Sequence, residues 1–172
     1  MAETLKTLKS RRSCRNYKPE LIEEEKLNAI IEAGTYAATG MGRQSPVIIA
    51  VTDREVRDKL SEINAGIRGI KADPFYGAPE VIVVLADKSV PTYLYDGTLV
   101  MGNMMNAAAD LGVASCWIHG AKPEFENEYC KELLKKLGIE GDYEGIGHLI
   151  VGYAAAKPPK AAPRKENYVY RV

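Results

Sequence analysis

The sequence predicts an α+β domain, a mixed sheet flanked by helices with one helix buried at its centre. Three observations carry this. Strand-like and helix-like segments alternate without a repeating strand–helix–strand rhythm, which fits a doubly wound parallel sheet poorly. Residues 92–111 are apolar or small nearly all round, the pattern of a helix with neighbours on every side. The chain has 172 residues, 46% hydrophobic and 27% charged. A chain of that size buries roughly 70% of its unfolded surface and needs no disulfide or metal staple, and disorder along its whole length is excluded.

In chain order, Leu5 and Leu8 lie three apart in a short helix that ends at Arg11-Arg12-Ser13. Tyr17-Lys18-Pro19 is extended, because the residue before proline avoids helical geometry. A second helix spans 22–38, with Leu27, Ile30, Ile31 and Gly34 on one face and three glutamates in its first turn. Residues 39–46 form a loop and 47–51 a short apolar strand. Thr52 is the expected cap of a third helix, with Glu55 completing a capping box and Val56, Leu60 and Ile63 as its buried stripe. The Gly- and Pro-bearing stretch 65–79 is a long loop of the kind more often functional than idle. Residues 80–86 are β-branched without alternation, a strand buried on both faces.

After the central helix come a strand at 113–118, an amphipathic helix at 124–137 and a strand at 147–153. In the central helix Asp96, Asn103 and Asp110 recur every seven residues as one narrow stripe. Hydrogen bonding to a neighbouring helix or to solvent accounts for that stripe better than a metal site, since no histidine accompanies it. The tail from 157 carries three prolines and ends in the alternating Tyr168-Val169-Tyr170. This divides the chain into a domain at 1–156 and a basic arm at 157–172.

The net charge is 23 − 23 = 0, and it hides an asymmetry. Residues 4–18 hold six basic side chains and no acid; residues 157–172 hold five against Glu166 alone; residues 19–156 hold 12 bases and 21 acids. Chain ends often lie close together. Two converging basic ends on an acidic body make a site for a small anion such as a phosphate, whereas two solvated tails are the bland alternative. Nucleic acid would need a broad basic face, so it is not an expected partner. The apolar runs are too short to span a membrane. The first residues lack a basic-then-apolar leader, and three scattered cysteines (Cys14, Cys116, Cys130) make no disulfide framework. A cytoplasmic protein is the expectation.

Most motifs of enzymes that use their own side chains are missing: there is no Walker loop, no Gly-x-Ser-x-Gly, no Cys-x-x-Cys and no His-Glu-x-x-His. Gly40-Met41-Gly42 and Gly145-Ile146-Gly147 do not continue as dinucleotide fingerprints. His148 falls inside a strand pattern as a structural residue. His119 closes a strand before Gly120, a better place for function. A phosphate-ready pair of ends without an acid–base set points to chemistry done by a cofactor, with no catalytic side chain and no metal.

Arg11-Arg12-Ser13-Cys14-Arg15 followed by Tyr17 resembles the N-terminal signature of the nitroreductase family of FMN-dependent oxidoreductases. Residues 40–46, ending Arg43-Gln44-Ser45-Pro46 before a strand, resemble the family's second flavin loop. Leu111-Gly112 through Ser115-Cys116-Trp117-Ile118 resembles the segment passing the flavin ring, and Pro163-Arg164-Lys165 the basic C-terminal element. Each match is weak alone; the order of the four over nearly the whole chain is specific.

The resemblance implies a nitroreductase-like, largely antiparallel sheet and a homodimer with FMN in the interface, the C-terminal arm being exchanged between subunits. It also implies NADH or NADPH as donor and a small acceptor such as a nitroaromatic or quinone, reduced by hydride transfer through flavin N5. Arg11, Arg12 and Ser13 would bind phosphate and ribityl groups, with Arg164 and Lys165 closing that site. Arg15 would face flavin N1 and O2, Gly40 and Gln44 would belong to the flavin loop, and His119 and Gly120 would offer N–H groups to N5 and O4. Trp117 stays open between core and ring contact. The chain departs from the family pattern at Ser45-Pro46, in lacking an Asn-x-x-Lys pair, and in being short for a lid over the flavin. These departures leave substrate choice open. Dehalogenation or azoline oxidation on the same scaffold, and a non-catalytic FMN- or phosphate-binding module, stand as alternatives.

Overall fold

The computed structural model describes residues 2–172; Met1, the first residue of the expected 1–156 unit, lies outside them. Four strands, β1 (Pro46–Val51), β2 (Glu80–Asp87), β3 (Ala114–Ile118) and β4 (Tyr143–Gly152), form one antiparallel sheet in the order β1-β2-β4-β3. The helices are α1 (Glu3–Ser10), α2 (Glu24–Thr35), α3 (Arg54–Arg68), α4 (Tyr93–Asp110), α5 (Ala121–Glu124) and α6 (Glu128–Lys136).

The sheet is covered on both faces, which explains the unbroken apolar run in β2. Val81, Val83 and Leu85 point into one core with Leu60, Phe75 and Cys130. Ile82, Val84 and Ala86 point into a second with Leu27, Ile30, Met101 and Met104. Side chains alternate along a strand, so a strand between two helical layers must be apolar at every position. In β4 the register slips beside Val84 and Leu85, which pair with Gly147 and Gly145. Ile146 is thus the extra residue of a bulge and joins the second core, whereas Ile150 faces the first. The Gly-x-Gly at 145–147 is this bulge.

Several boundaries differ from expectation for identifiable reasons. α2 ends at Thr35, short of residue 38, since Gly34 and Thr35 are weak helix formers. Asp53, not Thr52, caps α3: its carboxylate accepts from the N–H groups of Glu55 (2.8 Å) and Val56 (3.0 Å), and its charge suits a helix N-terminus. α3 runs through Arg68 to the left-handed Gly69, shortening the expected loop at 65–79. The expected helix at 124–137 starts later, as α6 at Glu128, because Asn127 accepts from Tyr129 N–H (2.9 Å) and caps it; the short α5 precedes it and ends at Glu124. β4 begins at Tyr143 rather than 147. Tyr168, Val169 and Tyr170 form no strand within the chain and are exposed.

α4 is buried on one side only. Asp96, Gly97, Val100, Met101, Met104 and Ala108 face the sheet and α2, while Leu94, Tyr95 and Leu99 are exposed on the opposite face. No helix is long and apolar enough to cross a membrane among the described residues.

Candidate functional site

The open edge of β3 is extended by the segment after α1. Ser13 bridges Ser115 in parallel, and Cys14 N–H donates to Ser115 O at 3.0 Å. Further on, Tyr17 bridges Ala154 antiparallel, with Lys18 N–H on Tyr153 O (2.8 Å) and Ala155 N–H on Asn16 O (3.0 Å). Tyr17 anchors this joint: its ring is buried, burial pushes its phenol well above the ordinary range, and its O–H donates to Cys14 O at 3.0 Å. The chain leaving β4 is thereby turned back along residues 11–16. The two ends of the sequence meet.

Where they meet there is a cleft of about 600 Å³ lined by Lys9, Arg11, Arg12, Ser13, Lys160 and Arg164 among others. Arg11 Nη1 is buried and has no hydrogen-bonding partner. A guanidinium N–H so placed lacks the acceptor that buried donors normally find. Arg12 donates to the carbonyls of Lys9 (2.8 Å) and Arg11 (2.6 Å), covering the negative C-terminal end of α1 that would otherwise repel an anion. Arg164 donates to Ala162 O at 2.8 Å. Lys165 does not line the cleft; its Nζ sits 5.3 Å from the Tyr168 ring centre. Arg15 is exposed, two residues beyond Ser13.

Gly40 and Gln44 lie elsewhere. Gln44 lines a separate cavity of about 290 Å³ with Thr39, Ile48 and Val100, which shares no lining residue with the basic cleft. The loop is held by Asp96, the first residue of the polar stripe. Its carboxylate accepts from Gly40 N–H (2.9 Å), Ser45 Oγ (2.8 Å) and Thr92 Oγ1 (3.1 Å). Burial alone would raise the pKa of Asp96; the hydrogen bonds outweigh it and hold the carboxyl below its ordinary value. Gly40 is there because a Cβ would stand 2.2 Å from Thr92 Oγ1. Met41 and Gln44 carry φ of 53° and 49°, conformations that cost about 1–3 kcal/mol each and persist only where surroundings enforce them. The other members of the stripe also tie elements together: Asn103 donates to Ala33 O (3.1 Å) and Asp110 accepts from Thr7 Oγ1 (2.9 Å).

β3 delivers His119 and Gly120 at its end. The His119 side chain is exposed, Gly120 is buried at φ 107°, and Asn64 of α3 donates to His119 O at 3.1 Å. Trp117 is half-buried and packs on the core beside α4. His148 is fully buried between Phe75 and Phe125, consistent with a structural residue. Asn64 and Glu124 were not among the expected site residues; one polar residue in an amphipathic helix gives no signal that it reaches another element's backbone. Among the described residues no three His, Cys, Asp or Glu side chains cluster as a metal site.

The model of the Nitroreductase family matches residues 8–153. The chain belongs to the nitroreductase family. Among its nitroreductase relatives, a protein of Archaeoglobus fulgidus, provisionally named an NADH dehydrogenase/NAD(P)H nitroreductase, is 31% identical over 158 residues, covering 89% of this chain and 86% of that one. The FMN reductase [NAD(P)H] of Bacillus subtilis is 27% identical over 188 aligned positions, covering 98% of this chain and 74% of its own. The crystal structure of a nitroreductase with bound FMN from Bacteroides fragilis superposes over 100% of both chains with a TM-score of 0.88 at 28% identity. The α+β fold with its largely antiparallel sheet is the nitroreductase fold.

Proposed function

We propose that this nitroreductase-family chain is an FMN-dependent NAD(P)H oxidoreductase that works as a homodimer, each flavin lying between residues of both subunits. The single observation that carries the reading is the cleft built from the two basic ends of the chain and lined by Arg11, whose Nη1 is buried without a hydrogen-bonding partner. The donor set there, guanidinium groups of Arg11 and Arg164, the Ser13 hydroxyl and the amines of Lys9 and Lys160, suits a phosphate monoester. The FMN held by the Bacteroides fragilis protein and the NAD(P)H dependence named for the Bacillus subtilis enzyme support the choice of ligand and donor.

When bound, FMN supplies a two-electron acceptor and then donor at N5, so nicotinamide and acceptor can use one site in turn, with ping-pong kinetics. The protein's part is binding, orientation and electrostatics. Arg11, Arg12, Ser13 and Arg164 hold the phosphate and ribityl end, with Lys165 beside them on the arm. Arg15, along the same edge, places a fixed positive charge toward the pyrimidine end of the ring, which favours a reduced, anionic flavin. His119 and Gly120 contribute backbone at the other side of the ring. Gly40 and Gln44, remote from the basic cleft of their own chain, serve the flavin bound mainly by the partner subunit. The exposed apolar face of α4 (Leu94, Tyr95, Leu99) supports a subunit interface, and exposed Tyr168 to Tyr170 supports an arm that pairs with the partner. Three unpaired cysteines fit a cytoplasmic protein. A nitroaromatic or quinone is the acceptor class proposed.

The test is direct. Purified protein should be yellow, and NADH or NADPH should bleach it without oxygen, with colour restored by a quinone. Colourless protein that takes up no added FMN would overturn the reading.

A further inference from the structure

Among the described residues, no group accepts from the Gly120 N–H. The carbonyl of the same peptide unit, His119 O, is tied down by Asn64 Nδ2. In a trans peptide the C=O and N–H point in opposite directions. Fixing the carbonyl toward fully buried Asn64 therefore aims the N–H away from the core. Gly120 permits the close approach: a Cβ would stand 2.7 Å from Asn64 Nδ2, on a backbone at φ 107° that other residues rarely adopt.

Asn64 is itself held. Its amide nitrogen has two protons and faces two acceptors, His119 O and Glu124 Oε2 (2.8 Å), which settles how the amide is turned. Glu124 and His148 are fully buried, with Oε2 and Nε2 3.1 Å apart, a close contact not aligned as a hydrogen bond. Phe75 and Phe125 close over His148 with ring centres 5.2 and 6.5 Å away. Asn64 Oδ1, Glu124 Oε1 and His148 Nδ1 and Nε2 have no hydrogen-bonding partner. As core filling this cluster is poor, because apolar residues of the same volume pack without desolvating four polar atoms. What it supplies instead is one hydrogen bond on one backbone carbonyl.

We propose that Asn64, backed by the Glu124–His148 pair, is a positioning residue that turns the His119–Gly120 peptide so that its N–H faces the flavin ring. This rests on the FMN reading above. Asn64 touches neither cofactor nor substrate; it acts through the peptide.

The test compares the wild-type protein with Asn64→Leu, which keeps the branched shape and removes both N–H donors. FMN and riboflavin are titrated into each, and the two-electron midpoint potential of bound FMN is measured. The expected result is a similar loss for both ligands, about tenfold, since the peptide serves the ring and not the phosphate. The midpoint should move as well, because oxidised and reduced N5 and O4 use a donor unequally; a tenfold difference between the two forms is about 30 mV. Thermal stability should fall, because His119 O and the buried Glu124 carboxylate lose their donor, which is why the flavin affinities and the midpoint are the readouts. If Asn64→Leu does not fold, Asn64→Ala, which only removes atoms, is read the same way. A variant with wild-type affinity for both flavins and a wild-type midpoint overturns the positioning role. Wild-type protein that takes up neither flavin sinks the FMN reading and this role with it, a result distinct from a variant that binds normally.

Discussion

Ser13 pairs with Ser115 by a parallel bridge on the open edge of the sheet. That one contact sets the segment carrying Arg11 to Arg15 beside β3, which leads into His119 and Gly120. The antiparallel bridge from Tyr17 to Ala154 then turns the tail back, so that Lys160 and Arg164 reach the cleft from the other side. The proposed phosphate end and ring end of the ligand thus lie along one sheet edge.

The proposed subunit interface predicts an outcome for Leu99→Asp. Leu99 is 50% exposed on the outer face of α4, so a carboxylate there leaves the single chain's core intact. In a large apolar dimer interface it would be buried and costly. Light scattering should fall from about twice 18.9 kDa to that mass, with the helical signal retained. Met104 tests something else: it is fully buried against the chain's own core, and Met104→Asp should prevent folding.

Asp96 predicts a link between pH and the loop at residues 40–46. Its pKa is lowered in the folded protein, so its contribution is complete above the unfolded value of 3.8 and is lost as pH falls through the folded one. Asp96→Asn should remove about 1.5–3 kcal/mol, the worth of a hydrogen bond to a charged group. It should also flatten the acid limb of the stability curve below about pH 4. Urea unfolding as a function of pH measures both.

Glu80 predicts the opposite sign. Burial raises its pKa, partly offset by the 2.8 Å hydrogen bond from Ile22 N–H. A raised carboxyl favours the protonated form, so stability falls as pH rises from 4.5 through the folded value. Glu80→Gln still accepts from Ile22 and carries no charge. It should have a higher urea midpoint than wild type at pH 7, with an unchanged slope and little difference at pH 4.

Much of this was legible in the sequence because the signals were local. β2 could be read as doubly buried from its unbroken apolar run, and the charge at residues 4–18 and 157–172 announced two basic ends. The family signature at Arg11 to Arg15 pointed to the cofactor. Less legible were the features that depend on distant partners. Asp53 beat Thr52 as a cap only through its charge and geometry, and Asn127 delays the start of a helix whose periodicity begins before it. α4 looked apolar all round, yet in one chain its Leu94, Tyr95 and Leu99 have nothing over them. Asn64, Glu124 and His148 come from three elements, and no spacing in the sequence records that they meet.

The most direct measurement is the affinity of Arg11→Ala and Arg164→Ala for FMN and for riboflavin, which lacks the phosphate. Each lost charge-assisted bond is worth about 1.5–3 kcal/mol, or about tenfold to a hundredfold in FMN affinity. Both variants should lose that much for FMN and almost nothing for riboflavin, whereas Arg15→Ala should weaken both ligands and lower the flavin's midpoint potential. Equal losses for FMN and riboflavin in the Arg164 variant, or no loss in either, would contradict a phosphate site built from the two ends of the chain.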